Sequence, residues 1–122
     1  MTMKISDAEH EVMAILWDEA PLTAADIAGR IPASRDWSMQ TVKTLISRLV
    51  AKAAIGTKRD GRRFLYSPLV DRDAYLTSAS QRLVDRLFGG RVSPLVAHLA
   101  ESDSLSDQDI AEIEQLLREL KT

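Results

Sequence analysis

The sequence predicts a mainly α-helical chain with one small β-hairpin: a winged helix-turn-helix head followed by a C-terminal helical tail. Three observations predict it. Three short amphipathic stretches fill the first 52 residues, a segment of period two with an Asp-Gly turn follows, and three more amphipathic stretches complete the chain. A hairpin directly after a helix-turn-helix is a wing, and the pair is more specific than either part.

The first helix starts at Ser6-Asp-Ala-Glu9, a capping-box pattern in which the Ser6 hydroxyl accepts from an orphan amide and Glu9 reaches back. Ala8, Val12, Ile15 and Leu16 then share one face, and Pro21 closes the segment. Thr23, three residues before Asp26, opens a second helix with Ala24, Ile27, Ala28 and Ile31 as its apolar side; Pro32 stops it. Residues 33–37 are a short loop. Ser38 caps a third helix running to about Lys52, with Val42, Leu45, Ile46 and Leu49 inward. The period then changes: residues 55–59 and 63–67 flank Asp60-Gly61, a strong hairpin signal, and a type I′ turn there requires positive φ at both positions. Pro68 ends the second strand.

The tail is helical again. Residues 71–88 place Tyr75, Ala79, Leu83, Leu87 and Phe88 on one side until Gly89-Gly90 breaks the helix. Residues 93–101 carry Leu95, Val96 and Leu99. Ser106-Asp-Gln-Asp109 opens a last helix bearing Ile110, Ile113, Leu116, Leu117 and Leu120. These faces have no sheet or large helix in the chain to cover them, so the expectation is burial against a second copy about a two-fold axis, with packing on the head as the alternative. The division expected is a winged-helix DNA-binding domain at 1–70 and a helical dimerisation domain at 71–122. Leu83, Leu87, Leu95, Leu99, Ile113, Leu116, Leu117 and Leu120 are the candidate dimer contacts.

Apolar residues at 45% and charged residues at 28% describe a globular chain rather than a disordered one. The absence of cysteine excludes disulfides, thiolate metal sites and cysteine nucleophiles. No apolar run approaches the ~20 residues that span a bilayer, and the first residues lack a signal-peptide pattern, so a cytoplasmic protein without membrane insertion is expected. The formal net charge is −2. Its distribution matters more. Residues 40–63 hold Lys43, Arg48, Lys52, Lys58, Arg59, Arg62 and Arg63 against Asp60 alone, seven bases to one acid, whereas residues 71–122 hold ten acids to six bases. A basic block beside an acidic remainder suits a polyanion, although a solvated charged surface reads the same way.

On the third helix Gln40, Thr41, Lys43, Thr44, Ser47 and Arg48 lie off the apolar stripe. Gln40 can pair with adenine, Thr44 can meet a thymine methyl or a phosphate, and Lys43 and Arg48 can hold phosphates or reach guanine. In the wing, Arg59, Arg62 and Arg63 can rest on phosphates or enter a narrow minor groove; they also protect a two-stranded edge. Trp17 and Trp37 read as core or staple residues at helix junctions. His10 and His98 lack the spacing of metal ligands, and no nucleophile elbow, phosphate loop or carboxylate pair appears, so no enzyme, metal or cofactor is expected. The rival reading is a winged-helix protein-interaction module with an acidic partner.

The stretch from Ser6 to Trp17, the stretch Trp37-Ser-Met-Gln-Thr-Val-Lys-Thr-Leu-Ile-Ser-Arg-Leu49 and the stretch Arg63-Phe-Leu-Tyr-Ser-Pro-Leu-Val70 resemble successive signatures of the penicillinase-repressor (BlaI/MecI/CopY) family of bacterial regulators. Leu87-Phe-Gly-Gly90 and the stretch from Pro94 to Glu101 resemble its tail, so the likeness spans the chain in order. The resemblance implies a homodimeric repressor that binds double-stranded operator DNA, a palindrome with TACA/TGTA half-sites, and is released by an inducing signal. In β-lactam-responsive members a membrane sensor metalloprotease triggers cleavage at an Asn-Phe bond, which aligns with His98-Leu99 here; the motif is not matched. Copper-sensing members use C-terminal CxC pairs, which a chain without cysteine lacks.

Overall fold

A helix start is favoured where a side chain can satisfy amides that have no partner within the helix, and the sequence supplies such a side chain at Ser6, Thr23, Ser38 and Ser106. The computed structural model describes residues 4–122, which divide into two compact units, one ending at Leu76 and the other Thr77–Thr122. In the first, α1 (Asp7–Asp18) is opened by a complete capping box, the Ser6 Oγ accepting from the Glu9 N–H at 3.1 Å and the Glu9 Oε1 from the Ser6 N–H at 2.8 Å. Thr23 and Asp26 make the same box for α2 (Ala24–Arg30). Residues 31–38 follow, with one 3₁₀ turn at Ala33–Arg35, before α3 (Met39–Ala51), capped by Ser38.

Val12, Met13, Leu16, Ile27, Val42, Leu45, Ile46, Leu49 and Ile55 form one buried cluster, so the apolar stripes of the three helices meet and β1 (Ile55–Asp60) starts inside the core. The chain reverses from α3 into β1 through Ala53, whose φ of 63° is left-handed; the Ala54 N–H then returns to the Leu49 carbonyl at 2.9 Å. β1 pairs antiparallel with β2 (Arg63–Pro68) from Ile55↔Pro68 to Asp60↔Arg63. The turn expected at Asp60-Gly61 is therefore one residue further on: Gly61 and Arg62 are its two central residues. Gly61 alone takes positive φ (66°), the glycine-first pattern of type II′ rather than type I′. Leu22 adds a one-residue bridge to Tyr66 with hydrogen bonds of 3.1 and 2.8 Å in the two directions, fixing the hairpin base to the segment before α2.

The first turn of α4 (Arg72–Phe88) packs with the head. Tyr75 is buried with its ring 5.7 Å from Trp17 and 6.0 Å from His10, and the Trp17 indole N–H donates to the Val70 carbonyl at 2.9 Å. His10 is thus part of an aromatic cluster. Trp37 lies partly buried against the core, one residue before the cap of α3, where a hydrophobic staple sits.

In the second unit α4 ends at Gly89 and Gly90, both at positive φ, and the Gly90 N–H closes on the Val84 carbonyl. α5 (Val92–Glu101) and α6 (Asp107–Leu120) follow; α6 starts with a full capping box on Ser106 and Asp109. Val84 is buried, and the Phe88 ring lies 5.6 Å from His98. Leu83, Leu87, Leu99, Leu116, Leu117 and Leu120 are exposed in the single chain, while Leu95 and Ile113 are half-buried. No helix among the described residues is long and apolar enough to cross a membrane.

Candidate nucleic-acid interface

Four buried residues orient α3. Val42, Leu45, Ile46 and Leu49 are at most 5% exposed, and at ~100° per residue the opposite side centres on Gln40, Thr44 and Ser47. Met39, Lys43 and Val50 fall on the flank toward the hairpin; Thr41 and Arg48 fall on the other. The hairpin flank is a groove of about 600 Å³, with Met39, Lys43 and Ser47 on one wall, Arg63, Phe64 and Tyr66 on the other, and Thr23 at its end. Recognition helix and wing thus converge on one concave strip.

On the outward side and flanks of α3 the side chains differ in freedom. Gln40, Lys43, Ser47 and Arg48 are exposed. Thr44 is half-buried, and its hydroxyl donates to the Gln40 carbonyl at 2.9 Å. The Thr41 hydroxyl lies 3.1 Å from that of Ser38, whose oxygen also accepts from the Thr41 N–H, so Thr41 takes part in capping α3. Among the described residues no carboxylate lies within ion-pair distance of Lys43, Arg48, Lys58 or Arg62.

The remaining cations are held. Arg63 donates to Asp60 at 3.0 and 3.2 Å, and Arg59 donates to the Gly61 carbonyl at 3.0 Å while its guanidinium lies 5.9 Å from the centre of the Phe64 ring. These contacts fix two arginines along the hairpin, and Arg62 occupies the turn. Lys52 is different: its ammonium lies 2.5 Å from Glu9 Oε1 and 2.8 Å from the Lys4 carbonyl. It belongs to the internal framework of the head, so the basic block offers one cation fewer than its composition suggests.

Sequence patterning had singled out the polar residues of α3 and the arginines of the hairpin but neither Met39 nor Phe64. Both are large, apolar and exposed, at 42% and 47%, and both line the groove. A search for exposed apolar groups inside a basic patch would have found them. Among the described residues no three His, Asp or Glu side chains come together as a metal site would require. His98 and Leu99 lie exposed on α5, the His98 carbonyl accepting from the Ser102 N–H at 3.1 Å.

A core of three helices, a hairpin wing and a groove between them with Lys43 and Arg63 on its walls define the winged helix-turn-helix class. The chain belongs to the penicillinase repressor family, whose model matches residues 5–119. It is 32% identical over 118 residues to the penicillinase repressor of Bacillus licheniformis, covering 97% of this chain and 92% of that protein. It is 35% identical over 116 residues to the methicillin resistance regulatory protein MecI of Mammaliicoccus sciuri, covering 95% and 94%. Among solved structures it is similar to monomeric BlaI of B. licheniformis in complex with the blaP half-operator, at 33% identity and a TM-score of 0.52, covering 59% of this chain and 88% of that one. The family is one of transcriptional repressors, not enzymes.

Proposed function

We propose that this chain is a dimeric repressor whose α3 enters the major groove of a palindromic operator while the hairpin rests on the adjoining backbone. The observation that carries the reading is the groove between α3 and the wing, with Lys43 on its helix wall and Arg63 on its hairpin wall beside the outward Gln40 and Ser47. Arg48 on the far flank of α3, and Lys58 and Arg62 on the hairpin outside the groove, add cations that have no carboxylate partner among the described residues. Cations without protein partners are available to phosphates, and releasing the counterions of those phosphates supplies most of the sequence-independent affinity. Gln40 and Ser47 hold the central position for base edges; Thr44 joins them through its contact with Gln40. The half-operator bound by the BlaI relative supports the same use of the head here.

The second unit, residues 77–122, is the dimerisation element in this reading. Exposed leucines on α4, α5 and α6 bury against a second copy and set the separation of the two heads to half-sites of the TACA/TGTA type. A cytoplasmic location follows from operator binding. Release by an inducing signal acts by splitting the dimer, since a lone subunit keeps one half-site and loses the gain from linkage. A membrane sensor metalloprotease is the expected partner for such release if the signal is a β-lactam. Cleavage at His98-Leu99 would require α5 to unwind, because that peptide lies within the helix.

The experiment is fluorescence anisotropy of the full chain with a palindromic duplex of two TACA/TGTA half-sites and a scrambled duplex, over 50–200 mM salt. The expected result is preference for the palindrome and a linear fall of log affinity with log salt. Equal binding to both duplexes, or binding only to an acidic protein, would replace the operator reading with the protein-interaction one.

A further inference from the structure

Polar and cationic groups dominate the outward side of α3, so an exposed apolar residue at its first position requires an account. Met39 is 42% exposed and lies outside the buried cluster. It does not cap the helix, since Ser38 and Thr41 do that. Nor does it supply the staple, since Trp37 holds that position. It stands on the groove wall one turn before Lys43 and two before Ser47, at the end of α3 that enters the major groove most deeply in helix-turn-helix proteins. Phe64 on the opposite wall is already occupied, with the Arg59 guanidinium over its ring.

Base edges in the major groove present donors, acceptors and one apolar group, the thymine C5-methyl. We propose that Met39 is a specificity-determining residue that packs on a thymine methyl on the wing side of each half-site. An unbranched thioether can follow the methyl without a fixed rotamer, and Lys43 beside it holds the neighbouring phosphate. The inference rests on the operator reading above and names a base contact within it.

The test is a thymine-to-uracil scan, which removes the methyl and leaves the pairing edge intact. Each thymine of a palindromic TACA/TGTA duplex is replaced in turn, symmetrically in both half-sites, and anisotropy is read for the unmodified chain, Met39→Ala and Met39→Leu. One position is expected to weaken the unmodified chain about three- to fivefold per half-site, the worth of one buried methyl. Met39→Ala is expected to bind thymine and uracil duplexes equally and Met39→Leu to keep the discrimination. Uniform binding across the scan, or discrimination surviving in Met39→Ala, would each overturn the assignment. Failure to bind any duplex would instead defeat the operator reading itself. Circular dichroism melts check that the variants fold, and Met39, being exposed, is expected to tolerate replacement.

Discussion

Among single side chains, Lys52 and Lys43 separate two uses of positive charge. Lys52 neutralises Glu9, a carboxylate only 2% exposed whose second oxygen has no hydrogen-bond partner among the described residues. Lys52→Met is expected to destabilise the head by about 2–3 kcal/mol, somewhat below the cost of breaking a fully buried pair because Lys52 itself is partly exposed. Denaturant melts read that loss, and the salt slope of duplex binding is expected to stay unchanged. Lys43→Ala and Arg62→Ala are expected to do the reverse, weakening operator and random duplexes alike and reducing the slope by about one each, with stability preserved. Glu9 also sets a pH dependence. Burial raises its pKa, but the Lys52 hydrogen bond, the Ser6 backbone and side-chain hydrogen bonds and the Lys52 charge outweigh this and hold it below the ordinary 4.5. The unfolded chain therefore takes up this proton first as pH falls. The stabilisation is complete above about pH 4.5 and is lost as pH drops through the folded value, so melts from pH 6 to pH 3 should show a steeper decline for the unmodified chain than for Glu9→Gln.

For the elements, the ends of helices carried more information than their middles. All four buried residues of α3 and the caps of α1, α2, α3 and α6 were legible, because stripe and cap have fixed spacings. Three features were not. Met13 and Glu9 are buried beside Val12 and Leu16, so the inward face of α1 is wider than its apolar stripe, and a carboxylate bound to a distant lysine leaves no local pattern. The Leu22–Tyr66 bridge is one residue long and has no period to detect. The hairpin was recognised, but the register of Ile55 with Pro68, set by burial of Ile55, places the turn at Gly61-Arg62. The turn from α3 into β1 offers a direct check of helix-end chemistry. Ala53 is left-handed where glycine is favoured, so Ala53→Gly should stabilise the head by about 1 kcal/mol in denaturant melts, with duplex affinity unchanged. Gly61→Ala should cost about as much, for the same reason in the opposite sense.

Over the whole molecule, charge and apolar surface are divided along the chain: surplus bases at 40–63, surplus acids at 71–122, and exposed leucines on the last three helices. In the proposed repressor this division assigns attraction for phosphate to the head and self-association to the tail. Leu116→Asp or Leu117→Asp is expected to give monomers in sedimentation experiments while the head still melts cooperatively, because a charge placed in an apolar contact stays unpaired. An intact dimer in both variants would remove α6 from the contact. The central claim is that two joined heads read two half-sites at a fixed spacing, and its most direct measurement is sedimentation of the full chain with a palindromic duplex and with a duplex holding one half-site. The account predicts two subunits on the palindrome, bound far more tightly than on the single half-site; one subunit per palindrome, with equal affinity for both duplexes, would contradict it.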